Sequence, residues 1–391
     1  MPSGFSRPTL TAALLVLLGM GSAGCLGGSD YRPEAAGPSG EVTVVVDSTR
    51  WNGAVGKAFR QTLGRPIQTL PVPEPAFDLR QVDLTPANLD RVKRHKNIVV
   101  AGALGTSTQE TEFLRRQFSK QARQAVERGE GTVIARPDLW HRQQQVFYVA
   151  ASTPEQLAET IRRQGPALRD SLNVATRRRM TDDMFEEGRQ FGIEDSLMSR
   201  HGFAVNAQHD YQIVTDTLFT EPGQAQGGFV LLVRKLPNTW RRLFVWYREN
   251  ADPATLSRDW ILEMRDSLAG EYLQGAVKGA AYADRRRTIN MEEIDYLSRY
   301  AYETRGVWYM SVDTTDAQGD DGRIPLGGGG PFVNYTLYDQ QQDRLYMIDG
   351  TVFAPDYDKR EFLRQMEVIA YTFRTRPEVR RQRPNQQTAA R

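Results

Sequence analysis

"GGFVLLVRKLPNTWRRLFVWYRENADPATLSRDW", residues 227–260, and "GGPFVNYTLYDQQQDRLYMIDGTVFAPDYDKREF", residues 329–362, follow the same pattern. In each stretch a strand that begins with glycine leads through a polar turn into a second strand, which ends at a proline that opens a helix. The first phenylalanine and this proline are 24 positions apart in the first stretch and 23 in the second. The pattern predicts two copies of one unit, each built around an antiparallel strand pair.

A helix and a further strand are predicted before each stretch, in "EDSLMSRHGFAVN" (194–206) and in "NMEEIDYLSRYAYETRGVWYMSV" (290–312). Residues 191–375 are therefore expected to form an antiparallel sheet with helices packed on it, and two α-β-β-β-α repeats are the arrangement that the pattern indicates. In "LFVWY" (243–247) both alternating faces are apolar, which indicates a strand that is covered on both sides.

The segment before this sheet alternates between strands and helices over residues 41–152. "EVTVVVD" (41–47) and "KNIVVAGAL" (96–104) are typical of buried strands. Apolar residues recur at four-residue spacing after the first strand, which places one stripe on a helix: Trp51, Val55, Phe59 and Leu63. This alternation predicts an α/β layered domain.

Residues 153–190 are predicted to be a helical connector with a break at Gly165-Pro166, opened by a capping box of Thr153 and Gln156. Three consecutive arginines in the connector could bind phosphate, but a solvated helix face beside nearby carboxylates is the favoured interpretation. The chain is therefore expected to be an α+β protein, with an α/β layered domain before the connector and an antiparallel α+β domain after it.

The charge balance argues against nucleic acid as a partner. The 391 residues include 50 Lys or Arg and 48 Asp or Glu, a net charge of +2, whereas nucleic-acid-binding domains are usually basic. The four histidines are not spaced as metal ligands, and the chain has a single cysteine. The sequence therefore predicts neither a metal nor a cofactor.

The first 25 residues predict a lipoprotein signal peptide, residues 1–24. An apolar run, "LTAALLVLLGM", is too short to span a bilayer but is typical of a signal-peptide core. Small residues precede Cys25 and resemble a lipobox, except that Ser22 stands where leucine is usual. We expect cleavage before Cys25 and its acylation by fatty acids such as palmitate. The alternative is ordinary signal cleavage that leaves Cys25 as a free thiol.

Residues 25–40 are rich in Gly, Pro and Ser and are predicted to be a flexible tether. Residues 376–391 are basic, punctuated by proline and expected to be disordered. The mature body is therefore expected in the bacterial cell envelope, held by lipid at the outer membrane or at the periplasmic face of a membrane.

The stretch "DSTRWNGAVGKAF" (47–59) has the outline of a phosphate-binding loop. Such a loop needs a glycine five positions before Gly56 and a hydroxyl residue directly after the lysine, but the sequence has Trp51 and an alanine there. We expect helix capping by Ser48 or Asn52 instead, and no nucleotide.

Other polar stretches are weaker candidates. "VVAGALGTSTQE" (99–110) could hold an anion at a helix start, although a serine or threonine cap explains it equally well. The segment 313–330, "DTTDAQGDDGRIPLGGGG", could bind calcium through its aspartates, but we expect a solvated loop, long enough to close over a site. Tyr335 and Tyr346 could stack on a sugar or a peptide from an exposed hairpin, but the core is their favoured place.

Four blocks resemble an uncharacterised lipoprotein family of the Bacteroidota, known only as a domain of unknown function: "GEVTVVVDSTRWNGAVGKAFR", "LPVPEPAFDL", "RHKNIVV" and "GGPFVNYTLYDQQQDRLYMIDGTVFAPDYDKREFLRQMEVIAYTFRT". The resemblance covers nearly all of residues 40–375, and its first and last blocks are the most specific. It implies an envelope lipoprotein and brings no catalytic residue. Six residues within these blocks form the candidate ligand or partner surface: Trp51, Asn52, Glu74, Phe77, Phe332 and Asp349.

The anchor, the tether and the missing catalytic motifs favour a non-enzymatic envelope component that binds another protein or an envelope polymer. The alternative is an envelope enzyme or a small-ligand receptor, with a cleft between the two halves near Trp51, Glu74 and the 313–330 segment. Glu74 and Asp349 are the carboxylates that acid–base chemistry could use there, although both stand where turns are usual. A deep polar cleft with two close carboxylates would favour the alternative, and a flat, partly apolar exposed patch would favour the first hypothesis.

Overall fold

The computed structural model describes residues 31–186, 188–221, 223, 225–275, 279–315 and 321–378. The predicted signal peptide, Cys25 and residues 379–391 of the predicted tail lie outside these ranges. No helix within them is both long and apolar enough to cross a bilayer.

The strands are β1 (Glu41–Val45), β2 (Pro66–Ile67), β3 (Glu74–Pro75), β4 (Asp78–Val82), β5 (Asn97–Ala103), β6 (Thr132–Pro137), β7 (Gln145–Ala151), β8 (Phe203–Ala204), β9 (Gln212–Phe219), β10 (Gly227–Leu236), β11 (Thr239–Glu249), β12 (Ala280–Ala283), β13 (Asn290–Asp295), β14 (Tyr300–Thr315), β15 (Asp321–Asp339), β16 (Arg344–Phe353) and β17 (Arg374–Thr375). The α-helices are α1 (Ser48–Trp51), α2 (Ala54–Thr62), α3 (Leu89–Val92), α4 (Gln109–Gln117), α5 (Lys120–Glu127), α6 (Pro154–Glu186), α7 (Phe191–His201), α8 (Arg258–Tyr272) and α9 (Arg360–Ala370).

The N-terminal domain is built on a sheet of order β4-β1-β5-β7-β6. All neighbours are parallel except β6, which is antiparallel to β7. Helices α2 and α6 cover one face, and α3, α4 and α5 cover the other. Val42 and Val44 of β1 enter the first core while Val45 enters the second, so this strand is apolar on both faces. The predicted α/β layered domain is confirmed.

The C-terminal domain is built on an antiparallel sheet of order β12-β14-β15-β16-β11-β10-β9, with β13 paired to β14. The two strand–turn–strand stretches of the sequence are the β10–β11 and β15–β16 hairpins, which lie side by side because β11 pairs with β16. Leu243 and Val245 share a core with α7 and α9, whereas Phe244 and Trp246 share one with α8. The sheet is therefore covered on both faces, as the "LFVWY" pattern predicts.

The second repeat lacks the helix that the sequence predicts at its start. Residues 290–312 instead form β13 and much of β14, joined by a turn in which Leu297 and Ser298 have φ angles of 54° and 63°. Contacts distant in sequence hold this turn in place. The buried ring of Tyr296 stacks on Tyr335 with 4.7 Å between centroids, and its hydroxyl donates to a backbone carbonyl of α9.

The helices after the hairpins begin later than their prolines. Pro253 opens only a 3₁₀ turn (Pro253–Thr255), and α8 starts after Ser257, whose hydroxyl accepts the Trp260 N–H at 3.3 Å. Pro355 lies in the turn that precedes α9. Helices α8 and α9 then pack on opposite faces of the sheet, so the two copies differ in where their last helix lies.

Helix α6 spans 33 residues and connects the two domains. The Thr153 hydroxyl accepts the Gln156 N–H at 3.3 Å, which confirms the predicted cap. The helix continues through the Gly-Pro pair at 165–166, so the predicted break does not occur. Met180 and Met184 near its end belong to the core of the C-terminal sheet, which ties this helix to both domains.

Residues 31–40, the last part of the predicted tether, pack on the N-terminal domain. The Ala35 N–H donates to the Arg142 carbonyl at 3.0 Å, and the Arg142 N–H donates to the Pro33 carbonyl at 3.0 Å. These bonds lie at the edge of the sheet where β5 and β7 begin. The described part of the predicted tether is therefore part of the folded body.

Candidate ligand-binding cleft

A cleft of about 470 Å³ opens in the C-terminal domain between β12, the turn that follows it and the outer parts of β14 and β15. Its walls are mainly polar, charged or aromatic side chains: Tyr282, Ala283, Asp284, Arg285, Arg286, Tyr309, Ser311, Asp313, Gly322, Arg323 and Pro325. The volume lies within the range of small-ligand sites, about 300–1,000 Å³.

One wall of the cleft is a two-stranded ribbon, residues 311–315 of β14 and 321–325 of β15. Asp313 lies opposite Arg323 in this ribbon, so the two side chains stand on the same face. The sequence predicts a solvated loop over residues 313–330, and that prediction is wrong for the described part of the segment. Cross-strand pairing extends the β14–β15 hairpin through residues 311–315 and 321–325 instead.

Arg323 connects this wall to the floor of the cleft. Its Nε lies 3.0 Å from Asp313, a terminal nitrogen lies 2.7 Å from Asp266, and the guanidinium stacks 3.7 Å from the ring centroid of Tyr282. The Tyr282 hydroxyl donates to the other oxygen of Asp313 at 2.8 Å. Tyr282, and after it Arg323, hold the pKa of the Asp313 carboxyl below its usual value, so this group is ionised at neutral pH.

The opposite wall is the turn 284–287, with the sequence "DRRR". Asp284 accepts hydrogen bonds from the backbone N–H and the Nε of Arg286 at 3.2 and 2.8 Å. Burial alone would raise the pKa of Asp284, but the bonds from Arg286 outweigh it and lower the pKa. The side chains of Arg285 and Arg286 remain 45% and 70% exposed, although Arg285 also reaches Asp266 at 3.4 Å.

The charges of the cleft fit binding better than proton transfer. A general base needs a carboxylate whose pKa lies near neutral pH, whereas the pKa values of Asp284 and Asp313 are lowered. The exposed arginines offer forked donors that match a carboxylate or a phosphate. Among the described residues, no group of three or more His, Cys, Asp or Glu side chains is arranged to hold a metal ion.

The six residues of the predicted surface do not come together, and the first two lie in the N-terminal domain. Asn52 is exposed at the end of α1, and Trp51 is half-buried against Phe59, with Arg60 stacked 4.9 Å from its ring centroid. A Cβ on Gly56 would lie 1.8 Å from the Trp51 carbonyl oxygen. The glycine therefore allows α1 and α2 to pack closely, and this stretch has no room for a phosphate loop.

The helix caps in the N-terminal domain agree only in part with the sequence. Asp47, and not Ser48 or Asn52, caps α1 by accepting the Arg50 N–H at 3.1 Å. Thr108 caps α4, as a capping role for the 99–110 stretch predicts. A second cavity, of about 390 Å³, lies beside that stretch and is lined by Leu104, Gly105, Arg115, Arg123, Val126, Glu127 and Ser152.

Glu74 and Phe77 lie where the two domains meet. The Glu74 carboxylate accepts the N–H groups of Lys359 and Arg360 at 2.7 and 3.0 Å, which caps the start of α9. Phe77 is fully buried beneath Arg364, whose guanidinium lies 4.6 Å from the ring centroid. The sequence predicts an inter-domain cleft beside Glu74, but in the structure these contacts fill that region.

Phe332 and Asp349 are fully buried inside the C-terminal sheet layer. Arg265 of α8 lies 3.8 Å from the Phe332 ring centroid and donates to Asp349 from two nitrogens, at 2.8 and 3.4 Å. Burial raises the pKa of Asp349, and Arg265 opposes that rise. Since Phe77 is also buried, the prediction that these three residues form a surface is wrong.

The three consecutive arginines of α6 are not one solvated face. Arg178 is exposed, as the favoured interpretation predicts. Arg179 is fully buried and donates to the Asn97 side chain at 2.7 Å, and Arg177 lies 3.5 Å from Glu367 of α9. Two of the three therefore hold elements together, because the connector runs between the domains and not over their surface.

The residues of the cleft carry no recognised motif. The only local signal is the charged "DRRR" turn directly after an apolar strand. The sequence indicates Asp313 only as one of several aspartates that could bind calcium, and its contact with Tyr282 depends on the pairing of β12 with β14, which is not visible in the sequence. Tyr335 and Tyr346 are fully buried, which confirms their place in the core.

Two family models match the chain, and both describe domains of unknown function. Residues 35–185 match DUF8532, and residues 191–372 match DUF4837. The two matches meet at the end of α6, so they correspond to the two domains of the fold and together cover most of the chain. No curated protein and no solved structure matches it.

Proposed function

We propose that the protein is a lipid-anchored, non-enzymatic binding component of the bacterial cell envelope, of the kind found in the Bacteroidota. The proposed anchor is Cys25, supported by the apolar run at residues 10–20, the small residues before the cysteine and the absence of any second cysteine. The resemblance of the blocks in residues 40–375 to an envelope lipoprotein family points the same way.

The observation that supports binding over catalysis is the pairing of the carboxylates in the cleft. Asp284 is bonded to Arg286, and Asp313 is bonded to Tyr282 and Arg323. Carboxylates held in this way keep their negative charge and their position, which suits a rigid recognition surface. They are poorly suited to take up a proton from a substrate near neutral pH.

The proposed ligand is an acidic group on an envelope protein or polymer. Arg285 and Arg286 are the most exposed cations of the cleft, and each can offer two parallel N–H donors to a carboxylate or a phosphate. Tyr309 adds a partly exposed aromatic ring beside them. Aromatic and arginine side chains are the residues that most often dominate the energy of an interface.

In-cell cross-linking of the lipidated protein, followed by mass spectrometry of what co-purifies, tests this function. The cleft variant is Arg285→Gln/Arg286→Gln. Its matched control is Arg162→Gln/Arg163→Gln, which removes two exposed arginines from α6. Cys25→Ala is the control for the anchor.

One dominant cross-linked partner is expected, lost in the cleft variant and in Cys25→Ala but kept in the matched control. A monomer without a partner in every sample would overturn the proposal. A partner that persists in the cleft variant would leave the protein an assembly component but remove the cleft as its site. If no sample contains a partner, the alternative function becomes a small-ligand receptor, and the cleft of about 470 Å³ is its candidate site.

A further inference from the structure

The chain enters the folded body at one defined edge. Beyond the bonds of Ala35, the Ala36 N–H donates to the Arg94 carbonyl at 2.6 Å, and the Lys96 N–H donates back to the Ala36 carbonyl at 3.0 Å. Strands β1, β5 and β7 all begin at this edge, which we call the amino-end edge. The N-terminal segment is therefore fixed, from residue 33 onward, against the starts of the parallel strands.

The amino-end edge is basic. It is formed by residues 31–41, 90–96 and 136–142, which contain seven Lys or Arg and four Asp or Glu, a net charge of +3. The whole chain has a net charge of only +2. Arg32, Arg91 and Arg94 are exposed there. The edge therefore has a local excess of positive charge beside the N-terminal segment.

The distance from the edge to the lipid is limited by covalent geometry. Tyr31 is six positions after Cys25, and an extended chain spans at most about 3.6 Å per residue, so the two are within about 22 Å whatever the conformation between them. Surface charges act over a Debye length of about 8 Å at physiological salt. A lipid on Cys25 therefore leaves the basic edge free to approach the headgroups to within this length, although the tether alone does not hold it there.

We propose that the amino-end edge is a membrane-facing surface that binds anionic lipid headgroups and orients the body on the membrane. This inference rests on the lipid anchor of the proposed function. Arginine and lysine side chains attract anionic leaflets when they lie near the surface. Tyr31, which is 93% exposed, is the kind of aromatic residue that is enriched at the level of the headgroups.

Vesicle co-sedimentation of the full mature chain with Cys25→Ser tests the edge without the anchor. The vesicles are phosphatidylcholine with phosphatidylglycerol, compared with phosphatidylcholine alone. The edge variant is Arg91→Gln/Lys93→Gln/Arg94→Gln. The matched control removes the same charge from α5 and α6, Arg123→Gln/Arg162→Gln/Arg163→Gln.

Salt-sensitive binding to the anionic vesicles alone is expected, weakened about 100-fold in the edge variant and much less in the control. Equal loss in both variants would overturn the proposal, because it would mean attraction by net charge and not by this edge. No binding to anionic vesicles by the unmodified edge would overturn it as well. Neither result depends on Cys25, so neither can be confused with a missing lipid anchor. The anchor is tested separately, by measuring the mass of the acylated N-terminus.

Orientation can be measured on the lipidated chain, because acylation consumes the only native cysteine. A fluorophore is attached through Ala36→Cys at the amino-end edge or through Ser107→Cys after the far end of β5. The seven residues of β5 place these sites about 20 Å apart. A quencher carried by the lipids should quench the first probe more strongly, and equal quenching of both would contradict the proposed orientation.

Discussion

Two clusters in this molecule are built from the same residue types, arginines and carboxylates, but one joins the two domains and the other lines the cleft. The joint cluster, Arg177, Arg305, Arg364 and Glu367, lies where α6, α9 and β14 meet. The cleft cluster comprises Arg285, Arg286, Arg323, Asp266, Asp284 and Asp313. The Glu367 side chain is 8% exposed in the first cluster, whereas the Arg286 side chain is 70% exposed in the second.

The difference shows that burial, and not residue type, separates a structural cluster from a candidate binding site. In the joint cluster, removal of one charge leaves the others without water to replace it. In the cleft cluster Asp266 and Asp284 are buried, but Arg285, Arg286 and Asp313 are exposed, and for these three water or a ligand can replace a lost partner at little cost. The comparison therefore predicts large losses of stability from substitutions of buried charges and small losses from substitutions of exposed charges in the cleft cluster.

The largest effect is expected from Asp349→Asn, which extends the comparison to full burial. Arg265 and Asp349 are both completely buried, so the substitution removes the closer carboxylate from the guanidinium and leaves it with Asp266 at 3.8 Å. We expect a loss of about 3–5 kcal/mol in the free energy of unfolding, measured by urea denaturation. Asp343→Asn, on an exposed turn, is the matched control. Similar losses in both variants would contradict the role given to burial.

Glu367→Gln tests the joint cluster itself. Glu367 lies 2.6 Å from Arg305 of the sheet and 3.5 Å from Arg177 of α6, so the substitution weakens the contact between the domains. The expected loss is about 2–3 kcal/mol, measured by the same denaturation. If the two domains then unfold in separate transitions, this cluster couples them; a loss below about 0.5 kcal/mol would show that it does not.

Glu367 is also expected to make the free energy of unfolding depend on pH. Burial alone would raise the pKa of Glu367, but Arg305 and Arg177 outweigh it and lower the pKa below its usual value of 4.5. A group with a lowered folded pKa stabilises the protein above its unfolded pKa and loses this effect as the pH falls through the folded value. Stability should therefore fall as the pH drops below 4.5, and less steeply in Glu367→Gln. Parallel curves for the two proteins would refute this assignment.

Glu74→Ala tests a partly exposed contact between the two domains, outside the joint cluster. The substitution removes the cap of α9, since the Lys359 and Arg360 N–H groups lose their acceptor. The expected loss is about 1–2 kcal/mol by thermal or urea unfolding. Glu130→Ala is the control, because Glu130 only forms an exposed pair with Arg128 and should change stability by less than about 0.5 kcal/mol.

The smallest effect on stability is expected from Asp313→Asn in the cleft cluster. The Asp313 side chain is 66% exposed, so its pair with Arg323 should contribute no more than about 0.5 kcal/mol. The same substitution frees Arg323 from one carboxylate and should raise the affinity for inorganic phosphate, measured by calorimetry. A large loss of stability with no change in affinity would place this residue with the structural cluster.

Elements with a strong local pattern could be predicted from the sequence. The β10–β11 and β15–β16 hairpins follow from alternating apolar residues around polar turns, and the Thr153 cap follows from hydrogen-bonding chemistry within one turn. The helix predicted at the start of residues 290–312 does not form, and no local pattern shows this. The turn that replaces it is held by contacts of Tyr296 with Tyr335 and α9, which are distant in sequence.

The candidate site was much less predictable than the fold. Asp313, Arg323 and Tyr282 come from three strands, and their contacts depend on the register of β12, β14 and β15. Glu74 and Asp349 both stand near turns in the sequence, but Glu74 caps α9 through N–H groups 285 and 286 positions away, and Asp349 forms a buried ion pair with Arg265, 84 positions away. Spacing in the sequence carries no information about such pairs.

The periodicity of apolar residues was sufficient to establish an α/β layered domain followed by an antiparallel sheet covered on both faces, because alternation along a strand is a local property of the chain. The placement of charge was not local. Whether an arginine holds two domains together, lines a cleft or lies at the edge where the chain leaves the body depends on which elements pack around it, and burial sets the free energy of each charge. Those decisions were made by the tertiary structure alone.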